Sequence, residues 1–127
     1  MELKTYFVED NATIRENLIG TLEELASIKS MGWADCEDDA RAWLAAQEPN
    51  AWDMAIVDLF LKQGSGLGVL AACSGRVAGQ RVVVLSNYAT ADMRKRCIQL
   101  GADAVFDKSN EIDALVDYCM AQTTSGV

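Results

Sequence analysis

Two short apolar runs constrain this chain more than any other feature. Met54-Ala55-Ile56-Val57 stops on Asp58, and Arg81-Val82-Val83-Val84-Leu85 stops on Ser86-Asn87. Both are nearly unbroken, rich in branched residues and too short for a buried helix, the pattern of strands covered on both faces. In open sheets built from such strands, ligands gather just beyond the carboxyl ends. Asp58 then sits where chemistry is done. A plainer reading, an Asp that opens a loop or caps the next helix, is equally good on this stretch alone. The other strand ends decide.

The rest of the chain supplies alternating elements. Lys4-Thr5-Tyr6-Phe7-Val8 reads as a strand ending in Glu9-Asp10-Asn11. The helix after it carries Ile14, Leu18, Leu22 and Leu25 on one side, started by Asp10, Asn11 or a Thr13–Glu16 capping box. One cap suffices, so two adjacent carboxylates at this strand end ask for another role. Ser27 to Ala34 holds a short strand weakened by Gly32. Asp38 to Gln47 forms a helix with Ala42, Trp43 and Ala46 inward, and Trp43 and Trp52 read as packing residues. Gly64-Ser65-Gly66 lacks the Gly-Lys-Ser/Thr ending of a P-loop and follows the third strand instead of the first. It is a loop into a short helix with Leu67, Leu70 and Ala71. Thr90 to Leu100 is helical, with Met93, Cys97, Ile98 and Leu100 as its apolar set and Gly101 as its stop. Ala104-Val105-Phe106 is the last strand, ending in Asp107-Lys108-Ser109; Glu111 to Met120 is the last helix, burying Ile112, Leu115, Val116 and Cys119.

Strand and helix thus alternate through five units, which implies one α/β domain with a parallel sheet covered on both faces. The domain is expected over residues 1–122, with 123–127 a frayed tail and no output domain. Right-handed crossovers bring every carboxyl end to one edge. That edge collects Glu9, Asp10, Asp58, Ser86 and Lys108.

Composition narrows the chemistry. The chain of 127 residues has a net charge of −8, which disfavours nucleic-acid binding and suits a cation or a basic protein partner. No apolar run is long enough to span a bilayer, and Met1-Glu2-Leu3-Lys4 does not start like a signal peptide, so a cytoplasmic protein is expected. There is no His, which removes Ser–His and Cys–His nucleophile pairs and the commonest general base. Cys36, Cys73, Cys97 and Cys119 form no CxxC pair and read as core thiols.

Three crowded carboxylates repel one another and raise each other's pKa, and a divalent cation resolves the conflict. Mg²⁺ suits oxygen ligands alone, so Glu9, Asp10 and Asp58 form a candidate Mg²⁺ site, with the backbone carbonyl of Phe60 a further ligand. Asp58 is then a candidate nucleophile toward phosphorus, giving an acyl phosphate. The Lys108 ammonium neutralises charge and pairs with Asp58 at rest, and the Ser86 hydroxyl donates to a phosphoryl oxygen. No group is placed to activate water. The site is built to receive a phosphoryl group, not to turn over, so the chain is not expected to be an enzyme.

Together these residues resemble the receiver domain of bacterial two-component response regulators. The resemblance rests on Glu9-Asp10, Asp58, Ser86 and Lys108, each at its strand end, and on Gly66 in the loop after Asp58. It implies a flavodoxin-like (βα)5 fold, a doubly wound five-stranded parallel sheet in the order 2-1-3-4-5. It implies that Asp58 takes a phosphoryl group from the phosphohistidine of a sensor histidine kinase or histidine phosphotransfer protein, with Mg²⁺ bound and Ser86 and Lys108 contacting the group. The chain departs from the family at Ser109, where Pro is usual, at Val105, where the switch aromatic is usual, and at Asn87, where a very small residue is usual. Phe106 should face the opposite side of its strand from Val105. Phe60 and Tyr88, which flank the water approach in this family, are both bulky and should shield an acyl phosphate.

Output is expected through surface contacts on the fourth helix, fifth strand and fifth helix, with a downstream protein or a second copy. Arg94, Lys95 and Arg96 lie on the fourth helix and Glu111, Asp113 and Asp117 on the fifth. They pair across a two-fold axis or are simply two solvated faces, the plainer reading. The alternative function is a phosphorylation-independent pseudo-receiver that acts as a protein-binding adaptor.

Overall fold

The computed structural model describes residues 2–87 and 89–125. Tyr88, Gly126 and Val127, on which parts of the sequence reading fall, lie outside the described residues. The elements alternate as β1 (Leu3–Val8), α1 (Ala12–Leu25), β2 (Ile28–Ala34), α2 (Glu37–Ala46), β3 (Met54–Val57), α3 (Gly66–Ala72), β4 (Arg81–Ser86), α4 (Ala91–Gln99), β5 (Ala104–Asp107) and α5 (Ile112–Ser125). The strands form one parallel sheet in the order β2-β1-β3-β4-β5. This is the flavodoxin-like order that the resemblance implies. α5 runs past the expected end at Met120, through Ser125.

Strand alternation divides the core in two. Ala55 and Val57 of β3, with Tyr6, Val8, Val82 and Val84, face one side, where Ala40 of α2, Val69 and Leu70 of α3 and Cys97 of α4 meet them. Met54 and Ile56, with Phe7, Val83 and Leu85, face the other, under Leu18 and Leu22 of α1 and Leu115, Val116 and Cys119 of α5. The unbroken apolar runs in the central strands are the signature of this two-sided cover. Val105 and Phe106 fall on opposite sides, Val105 toward α4 and Phe106 edge-on to Tyr118 at 5.7 Å. Trp43 stacks on Tyr6 with ring centroids 3.8 Å apart, and Trp52 is buried, so both pack. All four cysteines are free and buried; burial pushes the Cys119 thiol up to about 12 and Cys73 to about 11, which leaves them unreactive.

Helix ends follow local chemistry. Asn11 caps α1 by accepting the Ile14 amide at 2.9 Å, in place of a Thr13–Glu16 box, and this leaves Asp10 uncommitted to capping. Thr90 caps α4 through the Met93 amide, and Gly101, at φ 102°, turns the chain out of it. β2 carries a register shift against β1 beside Gly32.

The apolar stripes reach beyond what the sheet covers. Leu25 at the end of α1 is 55% exposed, Ile98 on α4 is exposed, and Ala42 and Ala46 of α2 point outward, while Ala40, Trp43 and Leu44 point in. Leu22 is fully buried. Leu22→Ala is therefore expected to cost about 2–5 kcal/mol in urea unfolding. Leu25→Ala, in the same stripe, should change stability by under about 0.5 kcal/mol.

Candidate functional site

The site is made by strand ends. Asp58 donates its backbone N–H to Val8 O at 2.9 Å, and the Glu9 amide bonds Ala34 O at 3.0 Å, so sheet hydrogen bonding continues one residue past β1 and β3. This fixes where Glu9 and Asp58 leave the sheet. Both residues are nearly sealed from solvent, at 3% and 7% exposure. Glu9, Asp10 and Asp58 each offer a carboxylate oxygen within 4.8 Å of the others. Ser86 closes β4 and is fully buried; the Lys108 amide bonds its carbonyl at 3.0 Å, joining the ends of β4 and β5. A pocket of about 220 Å³ opens over this edge, lined by Glu9, Asp10, Asn11, Ile14, Asp58, Phe60, Ser86, Asn87 and Lys108.

Lys108 binds the edge together. Its Nζ donates to Asp58 Oδ2 at 2.9 Å and also to Glu9 Oε1. Burial works against the charged amine, but the hydrogen bonds to Glu9 and Asp58 outweigh it, and the Lys108 pKa lies above its ordinary value. Asp10 is the carboxyl left over. Burial and the neighbouring Glu9 raise its pKa. Three carboxylates facing one ammonium leave an excess of negative charge in an all-oxygen donor set, and these residues fit a hard divalent cation. The remaining oxygens are held by backbone: Glu9 Oε2 accepts the Asn11 amide at 3.1 Å and Asp58 Oδ1 accepts the Phe60 amide at 3.3 Å. Gly66 is required here, because a Cβ on it would stand 2.2 Å from the Asp58 carbonyl oxygen.

The five residues that the sequence placed on one edge are therefore brought together. One basic residue went unnoticed, and a second was read only as surface charge. Arg15 is buried on α1, donates to the Glu9 carbonyl at 2.9 Å and lies 3.5 Å over the Trp33 ring. Its only sequence signal was a charge beside Ile14 on the apolar side of the helix. Arg94 of α4 donates to the carbonyls of Ala89 and Val105, both at 2.9 Å, and to Glu111 Oε1, which also accepts the Asp107 amide at 3.0 Å. Arg94 and Glu111 therefore pair with each other within the chain. Asn87 and Ser109 also meet, with Ser109 Oγ donating to Asn87 Oδ1 at 3.4 Å across the rim of the pocket.

The sequence profile of the response regulator receiver domain matches residues 6–119. The chain belongs to this family. Its fold and its acidic edge are those of a receiver domain in two-component signalling. It is similar to the response regulator UvrY of Escherichia coli O6:H1, 24% identical over 106 residues that cover 84% of this chain and 47% of UvrY. The chain thus spans about half the length of that relative. Among solved structures, the receiver domain of the Francisella response regulator 1452 superposes with a TM-score of 0.82 at 17% identity, covering 99% of this chain and 100% of that one. A Burkholderia pseudomallei response regulator, solved with a phosphorylated aspartic acid, calcium ion and citrate, gives 0.72 at 22% identity, covering 97% of this chain and 72% of that one. Two of the three departures noted in the sequence, Asn87 and Ser109, bond each other here.

The Arg94 hydrogen bond, aided by the Asp107 amide, holds the Glu111 carboxyl below its ordinary 4.5. A depressed carboxyl contributes stability that is present above its unfolded pKa and lost as pH falls through the folded one. Glu111→Gln should lower the urea midpoint at neutral pH, and the deficit relative to wild type should close as pH drops below 4.5.

Proposed function

We propose that Asp58 is the phosphoacceptor of this receiver, taking its phosphoryl group from the phosphohistidine of a sensor histidine kinase or a histidine phosphotransfer protein. The observation that carries this reading is the Lys108 ammonium bridging Glu9 and Asp58 at an edge that also gathers Asp10 and Ser86. An Asp58 carboxylate oxygen attacks phosphorus; the P–O bond forms as the P–N bond breaks, and the bonding pair leaves with the imidazole. Lys108, already at the carboxylate, neutralises charge on the phosphoryl oxygens, and the Ser86 hydroxyl donates to one of them. Glu9, Asp10, Asp58 and the Phe60 carbonyl would hold Mg²⁺, which when bound supplies further charge neutralisation. No residue lining the pocket is a His, the commonest general base.

Output then passes through α4, β5 and α5 to a downstream protein or a second copy. With Arg94 and Glu111 engaged internally, the charge offered there is Lys95 and Arg96 on α4 and Asp113 and Asp117 on α5, all exposed. No helix among the described residues is long and apolar enough to cross a membrane.

Intact-mass measurement after incubation with acetyl phosphate and Mg²⁺ tests the reading. One added phosphoryl group is expected, dependent on Mg²⁺ and absent from Asp58→Asn. Absence of the adduct with both acetyl phosphate and a phosphorylated histidine phosphotransfer protein would favour the pseudo-receiver. Phe60, 51% exposed at the pocket mouth, is placed to obstruct water approaching Asp58. Phe60→Asn is expected to speed phosphate release from the phosphorylated protein, and an unchanged release rate would remove Phe60 from the account.

A further inference from the structure

Glu37 opens α2 together with Asp38 and Asp39, and acidic residues in a first turn are explained by the helix dipole. That explanation leaves the carboxylate in water. Glu37 instead reaches out of its own helix. Its Oε1 accepts the backbone N–H of Ser65 at 2.9 Å, and its own amide donates to Gln63 O at 3.0 Å. Arg41 steadies the contact, lying 3.5 Å from Glu37 Oε2 and donating to Gly68 O at 3.0 Å.

The neighbouring glycines are shaped around this side chain. A Cβ on Gly64 would stand 2.4 Å from the Glu37 Cβ. A Cβ on Gly68 would stand 2.1 Å from Glu37 Oε2. Gly68 lies inside α3 without a positive φ, where glycine costs about 1 kcal/mol against alanine, so its use there makes room for the Glu37 carboxylate.

The contact leads to the phosphoacceptor in two steps. Ser65 pairs with Phe60 in an antiparallel bridge, and the Phe60 amide donates to Asp58 Oδ1 at 3.3 Å. Gly66, next to Ser65, donates to Leu59 O at 2.9 Å. We propose that Glu37 is a positioning residue for the Asp58 site: it holds the β3–α3 loop in the shape that presents the Phe60 carbonyl and the Asp58 carboxylate to a divalent cation. The inference rests on the cation reading given under the proposed function.

Calorimetric titration with Mg²⁺ tests it on the wild type, Glu37→Ala, Glu37→Gln, Gly68→Ala and the Glu37→Ala/Gly68→Ala double variant. Glu37→Ala should weaken Mg²⁺ binding roughly tenfold, the scale on which supports behind metal ligands act. Glu37→Gln should restore it, because an amide oxygen still accepts from Ser65. Gly68→Ala should reproduce the loss by pushing the carboxylate away, and the double variant should bind no more weakly than either single one. Wild-type affinity in folded Glu37→Ala, additive losses in the double variant, or a lowered Tm with unchanged Mg²⁺ affinity overturns the proposal. Should Glu37→Ala not fold, Gly68→Ala against Glu37→Gln makes the same comparison. A wild type that binds no Mg²⁺ overturns the cation reading and this inference with it, whereas failure confined to the variants overturns Glu37 alone.

Discussion

Everything at the working edge depends on one electrostatic conflict. Glu9, Asp10 and Asp58 crowd three carboxylates into a space where their oxygens lie within 4.8 Å. Two of them are nearly cut off from water, so solvent screens the repulsion poorly. One ammonium, Lys108, is set between Glu9 and Asp58. Buried charges of this kind persist only when paired and hydrogen-bonded, and backbone amides of Asn11 and Phe60 take up the oxygens that Lys108 does not. The arrangement is held in place and remains short of positive charge, which suits its all-oxygen donor set to a hard divalent cation.

The same conflict explains why the scaffold around the edge is rigid. A parallel sheet sets the ends of β1, β3, β4 and β5 side by side, and hydrogen bonds from Glu9 and Asp58 extend it past the strands. Gly66 lies flush against the Asp58–Leu59 backbone, and Glu37 grips the loop from the side. On the opposite flank Arg94 ties the β4–α4 loop, β5 and the start of α5 into one unit. The carbonyl of Val105 is a point of attachment for Arg94. The two flanks differ in kind: one is a carboxylate on backbone amides, the other a guanidinium on backbone carbonyls.

Local pattern went furthest in the central strands. Met54–Val57 and Val82–Leu85 could be read directly, because two-sided burial leaves a short, unbroken run of apolar and mostly β-branched residues. Helix stripes were less faithful. Leu25 and Ile98 keep the right spacing but stand exposed, since periodicity says which way a residue faces and not how far its neighbour extends. For Leu25 the reason is length: α1, with 14 residues, is about 21 Å long and β3, with 4, about 13 Å, so the end of α1 overhangs that strand. Ala42 and Ala46 were misplaced for a related reason: small residues carry little periodic signal, and Ala40 took the inward position.

The sequence by itself determined the class of fold, the edge at which its chemistry gathers and the residues that stand there, because strand termini and residue types are local facts and parallel crossovers have one hand. The tertiary structure decided who holds whom. Lys108 meets Glu9 across 99 positions and Asp58 across 50, Arg94 pairs with Glu111 across 17, and Glu37 reaches out of its own helix to cap a loop 28 residues away. Such contacts join side chains from elements with no shared periodicity, so they exist only once the sheet has brought distant strand ends within hydrogen-bonding reach.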